Sequence, residues 1–217
     1  METVKKPFSL SISRLQTLVD GIFAIAMTIL VFNIKLPQGD QVTDVGSILT
    51  TLWPTFWSFA QSFLLLGAFW SSHHRQGHLV REANQGLVWM NIIWLMFVVM
   101  VPFSTSLLAL PNNLLGTLFF DVNLFAIGLL SSLTWRYTVS QGLVHEEQKR
   151  MIVATTRRTL VFPVVALIAL GFAFISPPWS NLCYLLVPVG LWAVRPKHRT
   201  GKAEGTNGGQ SPSSSPA

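Results

Sequence analysis

Six apolar runs, each near the length a helix needs to cross a bilayer, follow one another along this chain. They occupy approximately residues 15–34, 48–71, 87–110, 114–138, 159–175 and 179–194. About 20 apolar residues in a helix match the hydrocarbon core. Only 11% of the 217 residues are charged, against roughly 25% in a soluble domain. So few charges cannot cover the surface of a soluble fold, so the chain is an all-α integral membrane protein with six expected spans. The last two runs are short and separated by Ser176-Pro177-Pro178, which fits a tight re-entry because Pro-Pro cannot continue a helix. Pro54, Pro102, Pro163 and Pro188 open or lie within runs, as membrane helices tolerate.

The basic residues set an expected orientation. Lys5, Lys6, Arg14, Arg75, Arg81, Arg136, Lys149, Arg150, Arg157, Arg158, Arg195, Lys197, Arg199 and Lys202 fall on one side, and Lys35 alone on the other with Asp40, Asp44 and Asp121. Both termini are therefore expected in the cytoplasm, in a multi-pass protein of the cell membrane. The net charge of +6 then reflects topology and contacts with anionic lipid, not nucleic acid. Residues 1–13 form an expected cytoplasmic N-terminal segment, 14–195 the membrane domain, and 196–217, rich in Gly, Ser and Pro, a disordered tail. The sizeable soluble loop is 139–158, whose HEEQKR centre suggests a short helical extension. The first run follows Lys5, Lys6 and Arg14 but is long enough to span and lacks a clear cleavage site, so no removable signal peptide is expected. The single Cys183 excludes an intramolecular disulfide framework and a cysteine zinc cluster.

Ionisable side chains within spans are costly and mark candidate functional positions. Asp20 lies six residues beyond Arg14, about 9 Å along the helix and roughly 240° around it. The two cannot pair along one face, so each needs partners elsewhere. The second run ends Trp70-Ser71-Ser72-His73-His74-Arg75. Adjacent histidines point about 100° apart, so they do not form a two-tooth metal ligand, and no metal site or cofactor is expected. One histidine is expected to bond inward and the other to face the interface. Asn91 and Trp94, three apart on the third run, share a face. Arg14, Asp20, His73 or His74, Asn91 and Trp94 thus offer polar groups from three helices at comparable depth, enough for one buried network. No Gly-x-Ser-x-Gly, His-Glu-x-x-His, phosphate loop or helically spaced carboxylate pair occurs, so an enzyme is not expected.

On the first run Ile25, Thr28, Ile29 and Phe32 fall on one face at spacings of three and four. Periodicity alone favours ordinary helix packing for them, and Ala24 with Thr28 suits close helix contact. At an oligomer axis the same face would stack rings of apolar side chains with one hydroxyl ring, a constriction able to gate by dewetting. The Thr-Val-Gly-Tyr-Gly filter sequence and an Arg-rich voltage-sensing helix are absent.

These residues carry a resemblance. The stretch Arg14-Leu15-Gln16-Thr17-Leu18-Val19-Asp20-Gly21, the run Ile22 to Thr28 and the closing Ile34-Lys35-Leu36-Pro37 resemble the first helix of bacterial members of the lysosomal potassium channel family, transmembrane protein 175. That helix opens Arg-x-x-x-Phe-Ser-Asp. Trp70-x-x-His73-His74-Arg75 and Asn91-x-x-Trp94-Leu95, then Pro102-Phe103-Ser104-Thr105, are similar to the family's next two helices. The resemblance covers residues 8–110 by motif and the later runs by count and length. It implies a homotetramer of six-helix subunits, the first helix lining a central pore without the usual re-entrant filter loop. It implies a channel that prefers potassium among monovalent cations. By the same resemblance Ile25 matches a narrow constriction, Thr28 a hydroxyl layer linked to potassium preference, and Ile29 and Phe32 the continuing lining. Arg14, Asp20, His73, Asn91 and Trp94 would hold the first helix in place.

Two departures stand out: Leu18 and Val19 occupy the family's Phe and Ser positions, so Asp20 needs another donor. The alternative function is a small secondary or proton-coupled transporter using Asp20 with the His73/His74 pair. A non-conducting scaffold is a third.

Overall fold

The structure, a computed structural model, describes residues 11–35, 45–108 and 113–194. Lys5, Lys6, Asp40, Asp44, Arg195, Lys197, Arg199 and Lys202, the expected tail 196–217 and most of the expected segment 1–13 lie outside them. The described residues fold into helices and short turns. Helix α1 (Ile12–Ile29) runs into a 3-10 turn at Leu30–Asn33. Its buried stripe is Leu15, Val19, Phe23, Ala26 and Leu30, at helical spacing. Helix α2 (Val45–Gly77) follows, then α3 (Gln85–Val99) and α4 (Val101–Leu108). The Asn84 side chain caps α3 by accepting from the Leu87 N–H at 2.8 Å. Asn113 does the same for Gly116 at the start of α5 (Leu114–Ser140). The HEEQKR segment forms a 3-10 turn, Glu146–Gln148, leading into α6 (Lys149–Thr159) and α7 (Val161–Ala173). The last segment is broken into α8 (Pro177–Ser180), a 3-10 turn (Asn181–Leu185) and α9 (Leu186–Ala193).

Four of these units are long and apolar enough to cross a membrane: Ile12–Asn33, Gln85–Leu108, Leu114–Ser140 and Lys149–Ala173. The second expected run is a helix of 33 residues, but Ser58, Gln61, Ser62, Ser71 and Ser72 dilute its apolar character. The sixth has a shorter apolar helix, Asn181–Ala193, because the chain changes winding twice along it. The fifth begins earlier than its apolar run, since the basic helix α6 leads directly into α7.

Prolines account for two of the breaks. Pro102 has no N–H to give the Val98 carbonyl, and the helix is interrupted between Val99 and Val101. Pro163 likewise leaves the Thr159 carbonyl without its helical donor, at the junction of α6 and α7. The Ser132 hydroxyl of α5 donates to that carbonyl at 2.8 Å. One turn earlier on α5, Gly128 lets the two backbones approach. A Cβ there would lie 2.8 Å from the Pro163 nitrogen. A small residue and a hydroxyl on α5 thus complete a proline-broken α7, an arrangement suited to lipid, where packing and not the hydrophobic effect drives helix association.

Helix α5 is the centre of the bundle, packed on α7, α3 and α4, while α1 packs on α2 and α3. The core joins them through Phe23 on Trp94 (ring centroids 5.5 Å) and Phe69 stacked on Phe162 (4.2 Å). At the end where Arg75, Arg81, Arg136, Lys149 and Arg150 gather, the α2–α3 and α5–α6 connections pair. The Arg81 N–H donates to the Leu143 carbonyl at 2.7 Å and the His145 N–H to the Leu79 carbonyl at 3.0 Å. Gly142 sits in this turn at φ 65°, a left-handed conformation that a side chain would oppose.

Candidate functional site: the outer face of the first helix

The packing reading of the Ile25 face does not hold within the chain. Ile25 is 59% exposed, Ile29 42% and Phe32 75%, whereas Val19 and Phe23 on the other side are 1% exposed. Thr28 is exposed too, its hydroxyl donating to the Ile25 carbonyl at 2.8 Å. With its proton so used, the hydroxyl oxygen keeps its capacity to accept. Gly21 and Ala24 continue the same exposed side toward the basic end, and nothing lies within 4 Å of where a Gly21 Cβ would be. Beside this face an apolar groove of about 470 Å³ runs between Ile25 and Ile29 of α1 and Val99, Pro102 and Phe103 at the α3–α4 break. Sequence alone placed these four residues on one face without saying which side met the bundle.

The polar residues divide into two groups. His73 is the inward histidine: its Nε2 is hydrogen-bonded to Asn91 Oδ1 at 2.8 Å, and its ring stacks on Trp94 at 4.6 Å. Asn91 donates its amide to the Leu87 carbonyl at 2.8 Å. The Trp94 indole donates to the Ile127 carbonyl of α5 at 3.0 Å. These three side chains tie the ends of α2 and α3 to α5. Asp20 belongs to the second group and accepts from the Trp70 indole at 2.8 Å. Trp70 stacks on His74 (5.4 Å), which in turn meets His78 at 3.1 Å. Arg14 is exposed at the start of α1, on a different side of that helix from Asp20. The structure therefore brings His73, Asn91 and Trp94 together and leaves Asp20 and Arg14 at the surface of the bundle.

Trp70 is the donor that Asp20 needs in place of the family's serine. Val19, at the serine position, is buried in the core of α1's packing face, where an apolar side chain fits. Leu18 is exposed. Trp70 was visible in the sequence as the head of the His-His motif, but its partner 50 residues away was not. Asp121, expected among the outer-side charges, is fully buried near the start of α5. It lies on the face that also carries Thr117, Phe120 and Leu124, and accepts from the Tyr184 hydroxyl at 2.7 Å. Among the described residues no group of three or more His, Cys, Asp or Glu side chains is arranged to hold a metal ion.

Together these features define a multi-pass helical membrane protein whose first helix keeps one apolar face, broken by a single hydroxyl layer, outside its own bundle. The sequence profile of the endosomal/lysosomal potassium channel TMEM175 family matches residues 14–102. A potassium channel of Chamaesiphon minutus is 32% identical over 84% of this chain and 95% of its own length. One from Streptomyces collinus is 28% identical over 76% and 84%. The crystal structure of the Chamaesiphon minutus lysosomal potassium-selective channel TMEM175 homologue superposes with a TM-score of 0.74, covering 85% of this chain and 98% of that one at 30% identity. The chain belongs to the TMEM175 family. That is a family of ion channels and not of enzymes.

Proposed function

We propose that the protein is a potassium-preferring cation channel in which four six-span subunits set their α1 helices around a central pore. The observation that carries this reading is the sidedness of α1. Ile25, Thr28, Ile29 and Phe32 face outward while Val19, Phe23 and Leu30 are buried. Lipid would accept the three apolar residues. It would not favour Asp20, on another exposed side of the same helix toward the basic end, whose carboxylate lies at the surface accepting from the Trp70 indole. A water-filled vestibule accommodates Asp20, and an axis accommodates the apolar rings. In this arrangement Ile25 forms the constriction, Thr28 the hydroxyl layer, and Ile29 and Phe32 the lining beyond. The preference for potassium rests on the bacterial relatives, which are potassium channels. His73, Asn91 and Trp94 hold the α2 and α3 ends against which α1 packs, and the Asp20–Trp70 bond fixes α1 on α2. The gathering of Arg75, Arg81, Arg136, Lys149 and Arg150 at one end, with Lys35 at the other, supports cytoplasmic termini.

Single-channel recording in planar bilayers, with potassium and sodium on opposite sides, tests the proposal. Discrete openings with a reversal potential displaced toward potassium are expected. Ile25→Asn should raise conductance by wetting the constriction, and Thr28→Ala should reduce the preference for potassium over sodium. Slow, saturable flux without discrete openings would instead favour the transporter alternative. For that reading Asp20 and the His73/His74 pair would have to work together; here Asp20 bonds Trp70, on which His74 stacks, while His73 bonds Asn91.

A further inference from the structure

One turn beyond the His73-His74 pair, at the basic end of the bundle, stands a third histidine, His78. It follows the last residue of α2, and its N–H still donates to the His74 carbonyl at 3.3 Å, so helical winding carries through to it. His74 and His78 are therefore four apart on one helix face, the spacing that brings two side chains together and that His73 and His74 lack. The two rings do meet. Their Nε2 atoms are 3.1 Å apart, with the ring centroids 4.6 Å apart at an interplanar angle of 86°. Two imidazole nitrogens each about 2.0–2.1 Å from one metal ion, with roughly 90–109° between the bonds, stand roughly 2.9–3.4 Å apart. The observed separation falls inside that range, so both rings can take one ion close to their present positions.

The surroundings suit a ligand pair. His74 is half-buried and His78 exposed, so further coordination positions open to water. The His74 ring is backed by Trp70, which stacks on it at 5.4 Å and is itself tied to the Asp20 carboxylate. A histidine that binds a metal is ordinarily oriented by such a neighbour. Arg75, the cation next to His74 in sequence, donates to the Ser71 hydroxyl one turn back along α2 at 2.6 Å. Without a metal, one Nε2–H donates to the other Nε2, a single bond between two neutral rings. With a metal, the donating ring carries its proton on Nδ1 instead, and both Nε2 lone pairs are given to the ion. We propose that His74 and His78 form a binding site for a divalent first-row transition-metal ion of the zinc, copper and nickel class, completed by water. Imidazole suits these ions, whereas magnesium and calcium take oxygen ligands. The bound ion clips the end of α2, where His74 carries Trp70 and, through it, Asp20 of α1.

The test is calorimetric titration of zinc chloride into the full-length protein in detergent, purified on a tag that contains no histidine. One zinc per subunit is expected. His74→Ala and His78→Ala should each weaken binding at least tenfold, and His198→Ala, outside the described residues, should leave it unchanged. His78→Gln can still hydrogen-bond His74 and should lose zinc as fully as His78→Ala, which separates the metal from the hydrogen bond. With one copper(II) per subunit, electron paramagnetic resonance should show two imidazole nitrogens on the ion in the wild type and fewer in His78→Ala. Unchanged zinc affinity in His74→Ala and His78→Ala, or the same copper spectrum in His78→Ala as in the wild type, would overturn the site. His78 is exposed, so its replacement removes the ligand without opening the core. None of these outcomes depends on whether the protein conducts potassium.

Discussion

Replacing Gly128 by alanine tests a close helix contact, the one that seats α7 on α5. The new Cβ would lie 2.8 Å from the Pro163 nitrogen, 2.9 Å from its Cδ and 3.1 Å from the Phe162 Cβ. Carbon atoms pack comfortably at roughly 3.5–4.0 Å, so α7 must retreat by about an ångström. The obstacle is backbone and a proline ring, which cannot rotate aside. Overpacking of this kind costs about 1–3 kcal/mol. Alanine also favours helix over glycine by up to about 1 kcal/mol, which partly masks the clash. Gly67→Ala removes the ambiguity. It too lies inside a helix, and its Cβ would meet only the Met27 Cε at 3.9 Å, an ordinary contact. The propensity gain is common to both variants, so the difference between them isolates the steric cost. For a chain of this size, with 1 kcal/mol worth roughly 2–4 °C, Gly128→Ala should melt about 2–12 °C below Gly67→Ala. The assay is the thermal midpoint of detergent-purified protein, followed by tryptophan fluorescence. Equal midpoints would mean that α5 and α7 do not approach as closely as described, and the pairing of Ser132 with the Thr159 carbonyl would fall with it.

Trp94→Phe should keep the stack on His73 but lose the indole bond to the Ile127 carbonyl, lowering stability by about 1 kcal/mol in the same melt. Asn91→Leu strands the His73 ring nitrogen in a half-buried site and should cost about 1–3 kcal/mol, more than Asn91→Gln. Trp70→Phe removes the indole donor bonded to the Asp20 carboxylate. It should loosen α1 on α2, read as faster cleavage at a protease site introduced after Ser11, whereas Trp89→Phe on an exposed face should leave cleavage unchanged.

Much of this protein was legible from local properties. Apolar runs, scarce charge and the placement of lysine and arginine are summed along the chain, and they sufficed for an all-helical, multi-pass membrane protein. The motif residues His73, Asn91 and Trp94 were legible for the same reason: a polar or amphipathic side chain in an apolar run announces that it needs a partner. Which partner was a different matter. Trp94 reaches Ile127, Asp20 takes its donor from Trp70, and Ser132 repairs the carbonyl freed by Pro163, all across distances that no spacing rule spans. Asp121 shows the same limit most sharply. Its place among the outer-side charges, near the start of the fourth run, gave no sign that Tyr184, 63 residues later, would meet it inside the bundle.

The sequence by itself therefore determined the class of fold and the list of residues that lipid could not leave unpartnered, because hydrophobicity and charge belong to single residues and short windows. Only the tertiary structure decided the pairings and the sidedness of α1. A helix with apolar residues all round has no inside until its neighbours choose one face. Here α2 and α3 took Val19, Phe23 and Ala26, and so left Ile25, Thr28, Ile29 and Phe32 outside the bundle.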